Sequence, residues 1–93
     1  MKLSGKIALV TGGSRGIGRA TALALAKAGV KVHISYSANE AAAQETMGLV
    51  EAAGGICKAT KFDVADSEAN KEAIEKIVKD EGALHILVAN AGV

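Results

Sequence analysis

Residues 7–18 read Ile-Ala-Leu-Val-Thr-Gly-Gly-Ser-Arg-Gly-Ile-Gly, and this segment is the strongest indication of the fold. The apolar run at residues 7–10 is typical of a short strand that is buried on both faces, as in a parallel sheet. The glycines after it predict a tight turn, and residues 16–28 have apolar side chains at near-helical spacing. These apolar positions are Ile17, Thr21, Ala24 and Ala28. We therefore expect a strand, a glycine-rich turn and a crossover helix.

The rest of the chain continues the alternation of strands and helices. Further strands are predicted over residues 30–35, 56–62 and 84–89, with a helix in each of the two intervals between them. A glycine follows each predicted helix, at Gly29, Gly54 and Gly82. Right-handed connections between parallel strands then give an α/β fold, a doubly wound parallel sheet with strand order 3-2-1-4.

Residues with N-cap preference mark the starts of the second and third helices. Ser37, with Glu40 three positions later, predicts a capping box, and Asp66 predicts the cap of the third helix. The apolar face predicted for the second helix consists of Ala42, Thr46, Leu49, Val50 and Ala53. The apolar face predicted for the third helix consists of Ala69, Ala73, Ile74, Ile77 and Val78. Residues 56–62 would form the outermost strand, because two lysines interrupt its apolar positions.

The composition excludes several classes of protein. With 93 residues, of which 49% are hydrophobic and 23% charged, the chain fits one folded domain rather than a disordered segment. A net charge of +1, with the basic residues spread out, argues against a nucleic-acid or membrane partner. We expect no signal peptide, because the N-terminus lacks a long apolar region and a cleavage site. A single cysteine and no Cys/His cluster predict no internal disulfide and no metal site, so we expect a cytoplasmic location.

The glycines between the first strand and the first helix predict a phosphate site. Backbone N–H groups and the positive end of the helix dipole converge at such a turn. Glycine is needed where φ is positive, where pyrophosphate approaches bare backbone and where the helix packs closely on the sheet. A Walker loop is excluded because no Gly-Lys-Ser/Thr follows. A plain strand-to-helix turn would use similar glycines, but the strand and helix on either side favour the phosphate site.

Three motifs in this order resemble those of the short-chain dehydrogenases/reductases: Thr11-Gly12-x3-Gly16-x-Gly18, Asp63-Val64 and Asn90-Ala91-Gly92. Residues 14–20 are especially similar to those of 3-oxoacyl-carrier-protein reductases. The resemblance implies that residues 1–93 form an NAD(P)-binding, Rossmann-type half-domain, with the family's catalytic half outside this chain. It also implies that the glycine loop holds the pyrophosphate, that Asp63 and Val64 flank the adenine, and that the segment around residues 90–92 lies beside the ribose.

The residues implied to bind the cofactor lie in the glycine loop and after the second, third and fourth strands. They are Gly12, Ser14, Arg15, Gly16, Ile17, Gly18, Tyr36, Ser37, Asp63, Val64, Ala89, Asn90, Ala91 and Gly92. The family often has two asparagines before Ala91-Gly92, whereas the first position here is Ala89, so any contact there must come from the main chain. Two structural alternatives stay open: Asn90 could tie neighbouring strands together, and Asp63 could cap the loop after its strand.

The end of the second strand bears on the choice of cofactor. NAD-binding domains hold the ribose 2′-hydroxyl with an acidic residue about 20 positions after the glycines. Tyr36 and then Ser37 stand there in this chain, so no carboxylate would repel a 2′-phosphate. Arg15 could pair with that phosphate, unless it is only a solvated loop charge. The sequence therefore favours NADP(H) over NAD(H).

No catalytic residue is expected in this chain. Tyr36 is the only tyrosine, and Glu40 stands where the family's Tyr-x3-Lys motif requires a lysine. The resemblance implies the cofactor-binding part of an oxidoreductase that moves hydride between NADP(H) and a carbonyl or alcohol, such as a 3-oxoacyl thioester. The alternative is a stand-alone nucleotide-binding or interaction module. In either case, an uncovered apolar fourth strand predicts a homo-oligomer.

Overall fold

The computed structural model describes residues 3–13 and 16–90. The strands are β1 (Ile7–Thr11), β2 (Lys31–Tyr36), β3 (Cys57–Lys61) and β4 (Ile86–Ala89), and the helices are α1 (Gly16–Lys27), α2 (Glu40–Ala52) and α3 (Ser67–Glu81). Every strand pairing among the described residues is parallel, and the order across the sheet is β3-β2-β1-β4. The predicted α/β fold and its strand order 3-2-1-4 are therefore confirmed, with β3 at one edge.

The helices cover both faces of the sheet, which explains why β1 is apolar without interruption. Ala8 and Val10 belong to the buried cluster that β1 and β2 form with α1 and α2. Ile7 and Leu9 point the other way and pack against Ile77 of α3. All five residues of β1 are buried, as expected of a central strand between two helical layers.

The buried face of α1 differs from the predicted one. Gly18, Ala22 and Ala26 are buried, whereas the predicted Ile17 is 75% exposed and Ala24 and Ala28 are also exposed. Alanine and leucine side chains lie on nearly all sides of this helix, so hydrophobicity alone does not determine which face of the helix is buried. The close approach of Gly18 to the backbone of the glycine loop chooses it instead.

Helix α2 begins with a different cap from the predicted Ser37–Glu40 box. The side-chain Oδ1 of Asn39 accepts a hydrogen bond of 2.9 Å from the N–H of Ala42, and Glu40 is the first helical residue. Asn and Ser are similarly good N-caps, so local preference could not separate the two positions. The buried residues of α2 are Ala43, Thr46 and Val50, so the predicted face is right for two residues and wrong for the exposed Leu49 and Ala53.

The third helix begins and ends as predicted, but the strand after it is shorter. Asp66 caps α3 through a 3.1 Å bond from the N–H of Ala69 to its Oδ1, and Gly82 follows the helix in the left-handed conformation. Ile77 is buried, whereas Val78 is exposed. The strand β4 begins at Ile86 instead of residue 84. No described helix has the length and apolarity that a membrane crossing requires.

Candidate functional site

The carboxyl ends of all four strands lie on one edge of the sheet, because the strands are parallel. The glycine loop follows β1, and Tyr36 and Ser37 stand at the end of β2. The pairs Asp63-Val64 and Ala89-Asn90 stand at the ends of β3 and β4. The fold thus brings the predicted cofactor residues that the structure describes to one edge, where α/β sheets bind their ligands.

Thr11 joins the ends of β1 and β4. It pairs with Ala89 in the register of the two strands. Its Oγ1 donates a 3.3 Å hydrogen bond to the carbonyl of Val88 and accepts one of 2.9 Å from the backbone N–H of Asn90. The first and third sequence motifs therefore meet through a side chain of the first motif and the main chain of the third.

Three glycines shape the turn after β1, two through a positive φ and one through close packing. Gly12 and Gly16 have φ values of +68° and +64°, so the predicted need for positive φ is confirmed. A Cβ on Gly18 would collide with the carbonyl oxygen of Gly12 and would lie 3.0 Å from Nδ2 of Asn90. A Cβ on Gly16 would meet no atom within 4 Å. The turn is therefore tightly packed at Gly18 and open to solvent at Gly16.

A fourth glycine in this turn was not among the predicted site residues. A Cβ on Gly13 would lie 2.5 Å from Cγ2 of Ile34, so the loop rests directly on β2. The second glycine of the Thr-Gly-Gly sequence was the available signal, but a glycine gives no indication of which element it contacts. Gly13 is thus a packing position of the loop.

The N–H groups of the loop divide into two sets. Those of Gly12 and Gly13 donate to Oγ and to the carbonyl oxygen of Ser35, at 3.2 and 3.1 Å. Helix α1 begins at Gly16, and the N–H groups of a first helical turn have no acceptor within their helix. The first turn of α1 also contains no acidic residue. With the helix dipole, it forms a place that suits an anion.

The sequence has one arginine directly before α1, at position 15, and another within the helix, at position 19. The guanidinium of Arg19 is bound by α2, through bonds of 2.9 Å to Oγ1 of Thr46, 2.9 Å to Glu45 and 3.1 Å to the carbonyl of Ala42. Arg19 therefore locks α1 against α2, a role that its sequence position did not indicate. Arg15, like Ser14, Ala91 and Gly92, lies outside the described residues, so its role stays a prediction.

Tyr36 lies on the α2 side of the sheet. Its hydroxyl donates a 3.4 Å hydrogen bond to Oε1 of Glu40, and its ring packs at the border of the core cluster of α1 and α2. Desolvation and the nearby Glu40 carboxylate raise the pKa of the Tyr36 phenol above its usual value. A raised pKa makes this phenol a weaker acid than an ordinary tyrosine. Ser37, the next residue, is exposed.

Asp63 shapes the loop after β3. Its Oδ1 accepts a 2.9 Å bond from the N–H of Ala65, and its carbonyl accepts one of 2.9 Å from the N–H of Asp66. The carbonyl of Val64 accepts a 2.7 Å bond from Nδ2 of Asn70. Asp63 therefore caps the loop after its strand, which is the structural alternative to cofactor binding. A contact between Asp63 or Val64 and the cofactor stays a prediction.

The described titratable side chains at this edge do not gather into a metal site. No group of three or more His, Cys, Asp or Glu side chains that could hold a metal occurs among residues 3–13 and 16–90. The buried Cys57 lies on β3, away from the glycine loop, and burial together with Glu51 raises the pKa of its thiol to about 11. The described part of the site is thus a backbone cradle rather than a cluster of reactive side chains.

This arrangement has well-matched counterparts. The chain matches the model of the family described as short chain dehydrogenase over residues 6–93. It is 48% identical over 91 residues to General stress protein 39 of Bacillus subtilis, covering 98% of this chain and 32% of that protein. It is 41% identical over 93 residues to the short-chain dehydrogenase/reductase homolog YusS of Bacillus subtilis, covering 100% of this chain and 85% of that protein.

Solved structures share the architecture. The crystal structure of a short chain dehydrogenase from Burkholderia cenocepacia in complex with NADP matches with a TM-score of 0.92 and 44% identity, covering 100% of this chain and 38% of that one. Except for YusS, the chain spans about a third of the length of the first curated relatives it matches. The sequence and fold comparisons therefore agree on the short-chain dehydrogenase family.

Proposed function

Because the chain belongs to the short-chain dehydrogenase family, a family of oxidoreductases, we propose that it binds NADP(H) for hydride transfer between that cofactor and a carbonyl or alcohol. In this proposal, residues 1–93 form the dinucleotide-binding part of the enzyme. The bound dihydronicotinamide supplies the hydride, and this chain binds and orients the cofactor.

The observation that carries the proposal is the geometry of the turn between β1 and α1. The contact of Gly18 with the backbone of Gly12 brings the start of α1 against the end of β1. The open space over Gly16 leaves the backbone accessible to a pyrophosphate, and no acidic side chain of the first helical turn repels it. These features fit a dinucleotide, because its pyrophosphate needs close approach to backbone N–H groups at a helix N-terminus.

The preference for NADP(H) is argued from the end of β2. Ser37, Ala38 and Asn39, which follow Tyr36, carry no charge that would repel a 2′-phosphate. Arg15 supplies the positive charge in this proposal. The related Burkholderia enzyme, which was crystallised with NADP, supports this choice. The other proposed contacts are those of Ser14, Ile17, Asp63, Val64 and residues 89–92.

A proton for the substrate must come from residues outside this chain in the proposed reaction. The 93 residues contain no Tyr-x3-Lys, and the phenol of Tyr36 is bound to Glu40. We keep a 3-oxoacyl thioester as the proposed substrate, because residues 14–20 resemble those of 3-oxoacyl-carrier-protein reductases. We also propose a homo-oligomer, because Leu87 of the edge strand β4 is 54% exposed. A cytoplasmic location is proposed on a separate ground, the single cysteine of the sequence.

Calorimetric titration of the chain with NADPH and with NADH tests the cofactor assignment. We expect saturable binding of NADPH that is at least several-fold tighter than that of NADH. Gly16→Val is the variant expected to lose binding. Its branched side chain would fill the open space over the turn and would disfavour the positive φ of this position. Absence of NADPH binding by a folded chain, or equal binding by a folded Gly16→Val variant, would contradict the proposal.

One observation favours a second candidate function, a nucleotide-binding module without catalysis of its own. The relative YusS, of which this chain covers 85%, is a protein of similar length. An assay of NADPH oxidation with an acetoacetyl thioester separates the candidates. Turnover by protein that carries a Tyr-x3-Lys motif after residue 93 supports the reductase, whereas a gene that ends there supports the module.

A further inference from the structure

We propose that Ser35 is a positioning residue that sets the distance between β2 and the pyrophosphate-binding loop. This inference rests on the proposed function, because it concerns how the same loop receives a dinucleotide. Ser35 is the penultimate residue of β2, and it is 1% exposed. None of the three sequence motifs includes it.

Two hydrogen bonds connect Ser35 to the loop. Its Oγ accepts from the N–H of Gly12 at 3.2 Å, although the two residues are 23 positions apart in sequence. Its carbonyl oxygen accepts from the N–H of Gly13 at 3.1 Å. One residue thus receives both N–H groups with which the chain leaves β1.

The hydroxyl is needed because the strand ladder ends before the loop. The register of β1 and β2 ends at the pair Val10 and Ile34. The backbone turns at Gly12, where φ is +68°, and the carbonyl oxygen of Ser35 accepts from the N–H of Gly13 rather than from that of Gly12. The side-chain oxygen of Ser35 replaces that missing acceptor, so the N–H is not left unsatisfied beside the sheet.

Contact with β2 fixes the loop from below as well. Because a Cβ on Gly13 would lie 2.5 Å from Cγ2 of Ile34, the loop cannot descend further toward the strand. The bonds to Ser35 prevent it from rising. Together they hold Gly12 where its carbonyl meets Gly18 of α1.

This arrangement decides which N–H groups face the ligand. Those of Gly12 and Gly13 are directed at β2, so Gly12 supports the site by packing and does not donate to the pyrophosphate. The N–H groups of the first turn of α1 are the donors left for that task. Ser35 therefore acts on the ligand only through the loop.

The test uses two variants of the 93-residue chain and two probe ligands. Ser35→Ala removes the acceptor, and Thr46→Ala removes a hydroxyl that is equally buried but bonds Arg19 and Ala42 of the helices. ADP-ribose carries the pyrophosphate, whereas 2′-AMP lacks it. We expect Ser35→Ala to bind ADP-ribose about tenfold more weakly, because a lost buried acceptor has an effect of that order. Its affinity for 2′-AMP, and both affinities of Thr46→Ala, should stay within about twofold of wild type.

Three other outcomes would contradict either the role of Ser35 or the proposed function. If the wild-type chain binds ADP-ribose and Ser35→Ala binds it with the same affinity, the role of Ser35 is overturned and the proposed function stands. Wild-type protein that binds neither probe contradicts the proposed function instead. Equal losses in Ser35→Ala and Thr46→Ala show a general effect of stability and also overturn the positioning role.

Amide hydrogen exchange of the wild-type chain keeps the inference testable if Ser35→Ala does not fold. We expect the N–H of Gly12 to be protected without ligand and to change little when ADP-ribose is added. The N–H of Ile17 should become protected only with ADP-ribose. An unprotected Gly12 N–H that ADP-ribose protects would make Gly12 a direct donor and overturn the inference.

Discussion

Replacing Gly18 with alanine tests the contact that joins the glycine loop to α1. In an exposed helix position the same change stabilises a protein by about 1 kcal/mol, because alanine is the better helix former. Here the added Cβ would collide with the backbone carbonyl of Gly12, which cannot rotate away as a side chain could. Overpacking of this kind costs about 1–3 kcal/mol, and a backbone partner favours the upper part of that range. The expected net loss of unfolding free energy is therefore about 2 kcal/mol.

Gly48 provides a matched control for this variant. It lies inside α2, and a Cβ there would meet no atom within 4 Å, so Gly48→Ala should stabilise the chain by about 0.5–1 kcal/mol. Urea unfolding followed by circular dichroism measures both changes, and calorimetric titration with NADPH measures binding. We expect opposite signs for the two stability changes and weaker NADPH binding only for Gly18→Ala. A Gly18→Ala variant as stable as Gly48→Ala would refute the close contact.

Three further variants test other parts of the account. Arg15→Ala should weaken the binding of NADPH by about tenfold or more and the binding of NADH much less. Equal losses of affinity for the two cofactors in a titration would show that Arg15 does not bind the 2′-phosphate. The Glu81 carboxylate binds Lys31 at 2.7 Å and His33 at 2.8 Å, and these bonds hold its pKa below the ordinary value. Because a lowered acid pKa stabilises the fold fully above the unfolded pKa and progressively less as the pH falls through the folded pKa, Glu81→Gln should cost about 1–3 kcal/mol near neutral pH. That difference should shrink as the pH falls below 4.5, and a difference in urea unfolding that is constant with pH would contradict it. Leu87→Lys on the edge strand β4 should reduce self-association in light scattering, and an unchanged mass would show that this edge is not the interface.

The sequence was sufficient for the topology because each element carried its own signal. The apolar run predicted β1, Asp66 predicted the start of α3 and Gly82 predicted its end, and each prediction needed only a few neighbouring residues. Connection rules then left one plausible strand order, which the structure confirms. The glycine turn was predictable for the same reason, since positive φ and close packing both require glycine.

What the sequence did not reveal depends on contacts between distant residues. The rotation of α1 follows from Gly18 against Gly12, and no periodicity in an alanine-rich helix encodes it. The partnership of Ser35 with Gly12 joins residues that approach each other only after β1 and β2 pair. The start of β4 at Ile86 has a similar cause. His85 precedes that strand, and its Nδ1 accepts a 3.0 Å hydrogen bond from the N–H of Ile7.

Titration of the wild-type chain with NADPH, followed in its amide NMR spectrum, shows whether the turn before α1 holds the cofactor. We expect added NADPH to shift the amide signals of the first turn of α1, such as Ile17 and Gly18, and those at the ends of β1 and β4. The signals around Glu81, at the opposite edge of the sheet, should stay in place. Shifts centred on that opposite edge, or no shifts at saturating NADPH, would contradict the claim that this turn holds a dinucleotide.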